Sequence, residues 1–229
     1  MSVRNSAKRN GVMMMSPERF YEHELKGKTA EAIMTVIRRL KREMNRLKND
    51  IEHSVEISLR RSRKGVQLLF VRQYLERAKE ALIAAGGVYK PSNIELKAMP
   101  FDENIFAIRE IKLSIGGFGT GYDTYTITMK GAHPCRIVKH SEMLDPFDSA
   151  VETVMPIKKE TFLAAIQQLH IGEWRRSYDS SRFGVIILDG TQWEVRFLFS
   201  NGYRPVKIWG DNNYPYNFGE FLKLLGVKP

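Results

Sequence analysis

Cysteine is almost missing from this sequence: Cys135 stands alone among 229 residues. A lone cysteine excludes an internal disulfide framework and fits a reducing compartment. Long apolar runs are missing too, since none approaches the roughly 18 residues that a membrane span needs. The first residues, "MSVRNSAKRNGVMMM", are basic but lack the apolar centre of a signal peptide. These absences lead us to expect a soluble, cytoplasmic protein. Residues 1–15 read as a disordered leader. Met13, Met14 and Met15 stand just before a helix-start signal, so residues 1–12 are expected to derive from an upstream start codon.

Acidic residues are under-represented: 36 lysines and arginines face 26 acids, a net charge of +10. The imbalance is local. Between Lys26 and Lys79 there are 15 basic and 6 acidic residues, so nine of the ten surplus charges fall in that segment. An acidic partner would meet the chain there.

That segment carries helical patterning. Ser16-Pro17-Glu18 combines an N-cap, a proline at the first helical position and an acid in the first turn. The helix it starts runs through Leu25 and stops at Gly27. Thr29 is the next cap. Apolar residues then recur at Ala30, Ile33, Ile37, Leu40, Met44, Leu47 and Ile51, at alternating spacings of three and four. A second seam runs through Leu68, Val71, Leu75, Ala78, Leu82 and Ala85 and ends at Gly86-Gly87. Two seams of similar length joined by a short connection predict an antiparallel helical hairpin over 16–87. Leu69, Phe70 and Tyr74 are left over to dock elsewhere.

The seams leave Arg38, Arg39, Lys41, Arg42, Arg46 and Lys48 pointing away from the buried face. The run Leu59-Arg60-Arg61-Ser62-Arg63-Lys64-Gly65 lies at or near the hairpin tip. Arg38, Arg39, Arg42 and Arg46 therefore form a candidate stripe for phosphates, with Arg60, Arg61, Arg63 and Lys64 as its tip. The competing reading is that these charges solubilise outer helical faces and complement helix C-termini. No zinc finger or RNP sequence accompanies the stripe. Gly27-Lys28-Thr29 resembles the end of a phosphate-binding P-loop, but Glu22 stands where that motif needs its first glycine.

The other half reads as 88–155, a linker and β-hairpin region, followed by an α-β-β-β-α region over 156–229. "FAIREIKLSI" and "YDTYTITM" partly alternate at period two, with "GGFGTG" between them. A Rossmann loop would lead from a strand into a helix, and its G-x-G-x-x-G spacing is not met here. The glycines therefore join two strands of a hairpin. Pro156 opens a helix whose apolar face is Phe162, Leu163, Ile166 and Leu169. A three-stranded antiparallel meander follows: Val185–Leu188, a turn at Asp189-Gly190, Trp193–Phe199, a two-residue turn at Asn201-Gly202, and Val206–Trp209. Asn217 caps a final helix bearing Phe218, Phe221, Leu222 and Leu225. The fold class expected is α+β.

Chemistry-bearing residues are sparse in this half. Cys135 has His133 and His140 nearby but no fourth ligand at zinc-finger spacing and no orienting group for a nucleophile. Asp145-Pro146-Phe147-Asp148 reads as a turn. Arg175, Arg176 and Tyr178, beside Trp174 and Arg182, could stack on bases or seal a helix-to-strand connection. Asn212–Asn217 could form a recognition loop, although turn chemistry accounts for it. Neither a cofactor nor a metal is called for.

The stretches "FYEHELKGKTAEAIMTVIRRLKREMNRLKNDIEH", "YLERAKEALIAAGG", "SIGGFGTGYDTYTIT", "LHIGEWRRSYDSSRFG" and "LDGTQWEVRFLFSNGYRPVKIWGDNNYPYNFGEFLKLLG" resemble a protein family of gut Firmicutes and their mobile elements. Small accessory proteins of such elements often counter host defence without being enzymes, anti-CRISPR inhibitors of Cas nucleases among them. The resemblance thus implies a non-enzymatic binding protein with a nucleic-acid or nucleoprotein partner, such as a Cas effector. It brings no catalytic residues. Two other readings remain: a protein–protein adaptor or homo-oligomer built on the seams and exposed aromatics, and an enzyme using Cys135, the nearby His133 and His140, and the glycine loop.

Overall fold

Apolar residues spaced by three and four can be buried together only on one side of a helix, and this condition organises the first ninety residues. The computed structural model describes residues 15–53, 63–117, 121–141, 150–179 and 190–227. The chain divides into two compact units, Met1–Lys90 and Pro91–Pro229.

In the first unit Ser16 and Thr29 act as the expected caps, accepting from the backbone N–H groups of Arg19 and Ala32. They open α1 (Pro17–Glu24) and α2 (Ala30–Glu52), and α3 (Arg63–Ala84) returns alongside α2. The helices run antiparallel: Lys64, at the start of α3, pairs with Asp50 near the end of α2. At the opposite end, a side chain on Gly87 would meet Ala30. Ile33, Ile37, Leu40, Met44 and Leu47 are buried, as are Leu68, Val71, Leu75, Ala78 and Leu82. Burial extends past the seams to Val36, Tyr74 and Ala81.

Tyr74 belongs to the unit's own core. Its ring stacks on Phe20 of α1 at 4.3 Å, and its hydroxyl both accepts from Met15 N (2.8 Å) and donates to Met15 O (2.6 Å). Met15, read as leader, is thus tied down, whereas residues 1–14 lie outside the described residues. Lys48 departs from the expected outward set. It is buried at the flank of the seam, where its methylene stem covers apolar surface. Positive φ at Gly27 and Gly86 ends α1 and α3.

The second unit is α+β. Its strands are β1 (Ile108–Gly117), β2 (Gly121–Thr128), β3 (Cys135–Ser141), β4 (Val151–Val154), β5 (Ser177–Tyr178), β6 (Gln192–Phe199) and β7 (Val206–Asp211). They form one sheet in the order β4-β3-β2-β1-β6-β7-β5. All neighbours are antiparallel except β5 with β7. The hairpin reading of the glycine run holds: β1 and β2 pair through to Gly117 opposite Gly121, with residues 118–120 outside the described set. The segments read separately as 88–155 and 156–229 join this single sheet, because β1 also pairs along its length with β6.

Side chains alternate across a strand, so each strand gives one face to the core. Ile111, Leu113, Ile127, Trp193, Val195, Phe197, Val206 and Ile208 are buried on one side. They share that core with α4 (Asn93–Asp102), α5 (Lys159–Gln168) and α6 (Phe218–Leu224). Phe197 meets Phe101 of α4 edge-on at 5.1 Å, and Trp193 meets Phe218 of α6 at 4.4 Å. Helix α4 was not anticipated, although Ser92-x-x-Glu95 forms a full capping box at its start.

Three local expectations need correction. The Asn201-Gly202 connection is wider than two residues: β6 ends at Phe199 and β7 begins at Val206. Pro205 cannot donate to the ladder, and the Asn201 side chain accepts from Tyr203 N (3.1 Å) instead. The helix expected at Pro156 begins only at Lys159. Asn217 precedes α6 but makes no side-chain cap; it accepts from Trp174 Nε1 (2.8 Å) and donates to the Leu169 carbonyl (2.7 Å). The strand read at Val185–Leu188 lies outside the described residues. No helix among the described residues is long and apolar enough to cross a membrane.

Asn217→Ala removes both bonds and leaves the buried Trp174 N–H without an acceptor. We expect a loss of about 2 kcal/mol, a melting temperature lower by roughly 5 °C. A melting curve of Asn217→Ala that overlays the parent would show that this bridge contributes nothing.

Candidate nucleic-acid interface

A helix turns about 100° per residue, so positions 38, 39, 42 and 46 share an arc of roughly 100° opposite the seam. Arg38, Arg39, Arg42 and Arg46 are all exposed on α2. From Arg38 to Arg46 the arc rises about 12 Å along the helix. The stripe is therefore continuous, but its members differ in what they touch. Arg39 pairs with Glu24 of α1 at 2.9 Å, and Arg46 with Glu43 at 2.6 Å. Arg38 and Arg42 have no ion pair among the described residues. Lys41 and Lys79 both lie over the Tyr89 ring, at 4.6 and 4.9 Å from its centroid, so part of the positive charge is held against an aromatic face.

At the tip, Arg63 and Lys64 are exposed in the first turn of α3, and Lys64 reaches Asp50 at 3.2 Å. Arg60 and Arg61 lie outside the described residues. The ion pairs on this unit are exposed, which limits each to a modest contribution and leaves the cations able to exchange partners.

The secondary candidates separate. Arg175 and Arg176 are exposed, whereas Tyr178 is buried, with its ring 5.8 Å from Trp193 and its hydroxyl accepting from Arg175 N at 3.0 Å. Burial takes Tyr178 out of any surface stack; it seals the connection into β5. The Asn212–Asn217 loop is likewise folded inward. Asn212 Oδ1 accepts from Thr191 N, the Asn213 carbonyl accepts from Trp193 Nε1, and Tyr214 packs on Phe218 at 5.2 Å.

Cys135 and the two histidines do not converge. Five residues along an extended strand place Cys135 and His140 about 17 Å apart, and the odd offset puts them on opposite faces. His140 Nδ1 lies 2.7 Å from Asp123 Oδ1. The Cys135 thiol donates to Glu152 Oε1 at 2.9 Å, and that carboxylate, helped by desolvation, pushes the thiol's pKa up. Among the described residues no group of three or more histidine, cysteine and carboxylate side chains is placed to hold a metal ion.

The sheet adds a surface that the sequence did not reveal. Its outer face carries a concavity of about 440 Å³ lined by Ser114, Tyr122, Gln192, Glu194, Lys207 and Trp209, among others. Tyr122 crosses the side-chain-free position at Gly116 to bond Gln192 Oε1 at 2.7 Å. Period-two alternation in "PVKIWGD" could have assigned Trp209 to the face opposite Val206 and Ile208. Comparison with family models, curated proteins and solved structures yields no match.

Because Glu152 holds the Cys135 thiol protonated, alkylation by iodoacetamide should reach half-maximal rate at a pH above that of an ordinary thiol. Glu152→Gln should shift that midpoint downward and speed alkylation at mildly alkaline pH. An identical pH profile in the variant would remove Glu152 as the cause.

Proposed function

We propose that this chain is a non-enzymatic binding protein that meets nucleic acid, or a nucleoprotein, through the outer face of α2 and the start of α3. The observation that carries this reading is the arginine arc, in which Arg38 and Arg42 are exposed and without an ion pair among the described residues. It lies within the segment holding nine of the chain's ten surplus charges. Arg39, Arg46, Arg63 and Lys64 extend the surface, since exposed ion pairs can be traded for phosphates at little cost. The resemblance to proteins of mobile elements supports a specific form of this reading, an anti-CRISPR inhibitor whose basic face meets the nucleic acid or an acidic groove of a Cas effector. The heptad seams bury one another within one chain, so the alternative, a protein–protein adaptor or homo-oligomer, would draw on the exposed aromatics.

Fluorescence anisotropy with duplex DNA and with duplex RNA, across about 50–200 mM salt, tests the placement. Binding should weaken with salt, with a log–log slope of about −0.9 for each DNA phosphate neutralised. Arg38→Glu with Arg42→Glu should lower affinity and flatten the slope by about 0.9 for each phosphate no longer neutralised. Reversal of Arg60, Arg61, Arg63 and Lys64 should flatten it further. Unchanged affinity and slope in both variants would sink the proposal.

A further inference from the structure

Side chains alternate across a strand, so a tryptophan between two buried positions presents its indole to the outer face of the sheet. In β7, Val206, Ile208 and Gly210 are buried, whereas Trp209 remains 40% exposed. Among the described residues its indole N–H has no partner. The indole stands beside the concavity whose floor is formed by Ser114 and Glu194 on the two central strands, β1 and β6.

The groups around that floor are polar and already oriented. The Glu194 carboxylate is held by Arg196 and Lys207. Partial burial alone would raise its pKa, but these two cations more than offset burial and keep it ionised. On the far side, the bond from Tyr122 to Gln192 fixes an aromatic ring and an amide together. Asp211 completes the rim and accepts from Asn212 Nδ2 at 2.9 Å. The lining carries Glu194 and Asp211 against Lys207, with Arg196 paired to Glu194 from just outside, so the concavity has no cationic surplus for a phosphate. Polar groups stand beside its aromatic rings, which suits an amphipathic ligand better than a purely apolar one.

A ligand suited to this site is neutral, has one flat face of C–H bonds for the indole, and carries hydroxyls on its edge for carboxylate and amide partners. From this geometry we infer that the outer face of the sheet is a saccharide-binding site. A pyranose ring stacks on Trp209, and its hydroxyls bond Glu194 and Gln192. The volume of about 440 Å³ lies toward the small end of ligand sites and suits one or two sugar rings. The site lies within the second unit and does not depend on the arginine arc.

The test uses the full chain and a panel of neutral mono-, di- and trisaccharides based on glucose, galactose, mannose and N-acetylglucosamine. Binding is read by saturation-transfer NMR and by tryptophan emission. Trp193 also borders the concavity, so the emission change assigned to Trp209 is the part that is lost in Trp209→Ala. At least one sugar type should bind. Trp209→Ala, at an exposed position, should weaken binding by about tenfold, with partial recovery in Trp209→Phe. Glu194→Gln should weaken it as well. The inference is overturned if no sugar in the panel binds, or if binding is the same in Trp209→Ala. A single-stranded oligothymidylate that binds in place of sugars and is lost in Trp209→Ala would overturn it too.

Discussion

The backbone of β1 must be hydrogen-bonded along both edges, and the second unit is arranged around that demand. One edge is satisfied nearby, by the hairpin return through β2. The other is satisfied only by β6, far along the chain. With β1 central, Ile111 and Leu113 necessarily face the helices, and Lys112 and Ser114 necessarily face away. The helical layer covers one side of the sheet, and the polar outer surface follows from the same register.

The first unit obeys a different constraint to a similar end. Its seams occupy one side of each long helix, and α1 adds Phe20 against Tyr74. Once these apolar groups are buried, the four arginines of α2 lie on the opposite side. Two kinds of surface thus arise as by-products of core formation: a cationic arc on a helix and a charge-balanced, aromatic-rimmed hollow on a sheet. They differ in chemistry: one offers exposed guanidinium groups, the other carboxylate, amide and lysine groups beside an exposed indole.

How legible each part was depended on the range of the interaction responsible. The helical hairpin could be read because three-and-four spacing is local, and the caps Ser16 and Thr29 stand directly before it. The arginine arc followed from the same spacing. At 100° per residue Lys48 falls about 20° from Ile37, so its burial at the flank of the seam was legible too and its place in the outward set was a misreading. The glycine hairpin was legible from the strand-forming residues on either side. The β1–β6 pairing was not, because nothing near Ile108–Gly117 specifies a partner so distant. Helix α4 was legible in principle from Ser92 and Glu95, but Pro100 inside it obscures the pattern. Asn217 was correctly placed before α6, yet its bonds to Trp174 and Leu169 depend on tertiary neighbours that no local rule identifies.

The long reach from β1 to β6 also sets an order of events during synthesis. About 75 residues separate Gly117 from Gln192, so at roughly 5–20 residues per second a ribosome needs about 4–15 s to supply the missing neighbour. The seams of α2 and α3 are already complete by then and can close without the sheet. Through that interval the β1–β2 hairpin presents an unpaired edge bearing Ile111, Leu113 and Ile115, the kind of edge that recruits strands from other chains. Until β6 has been made, the strand that ends at the centre of the sheet has an edge without its native partner.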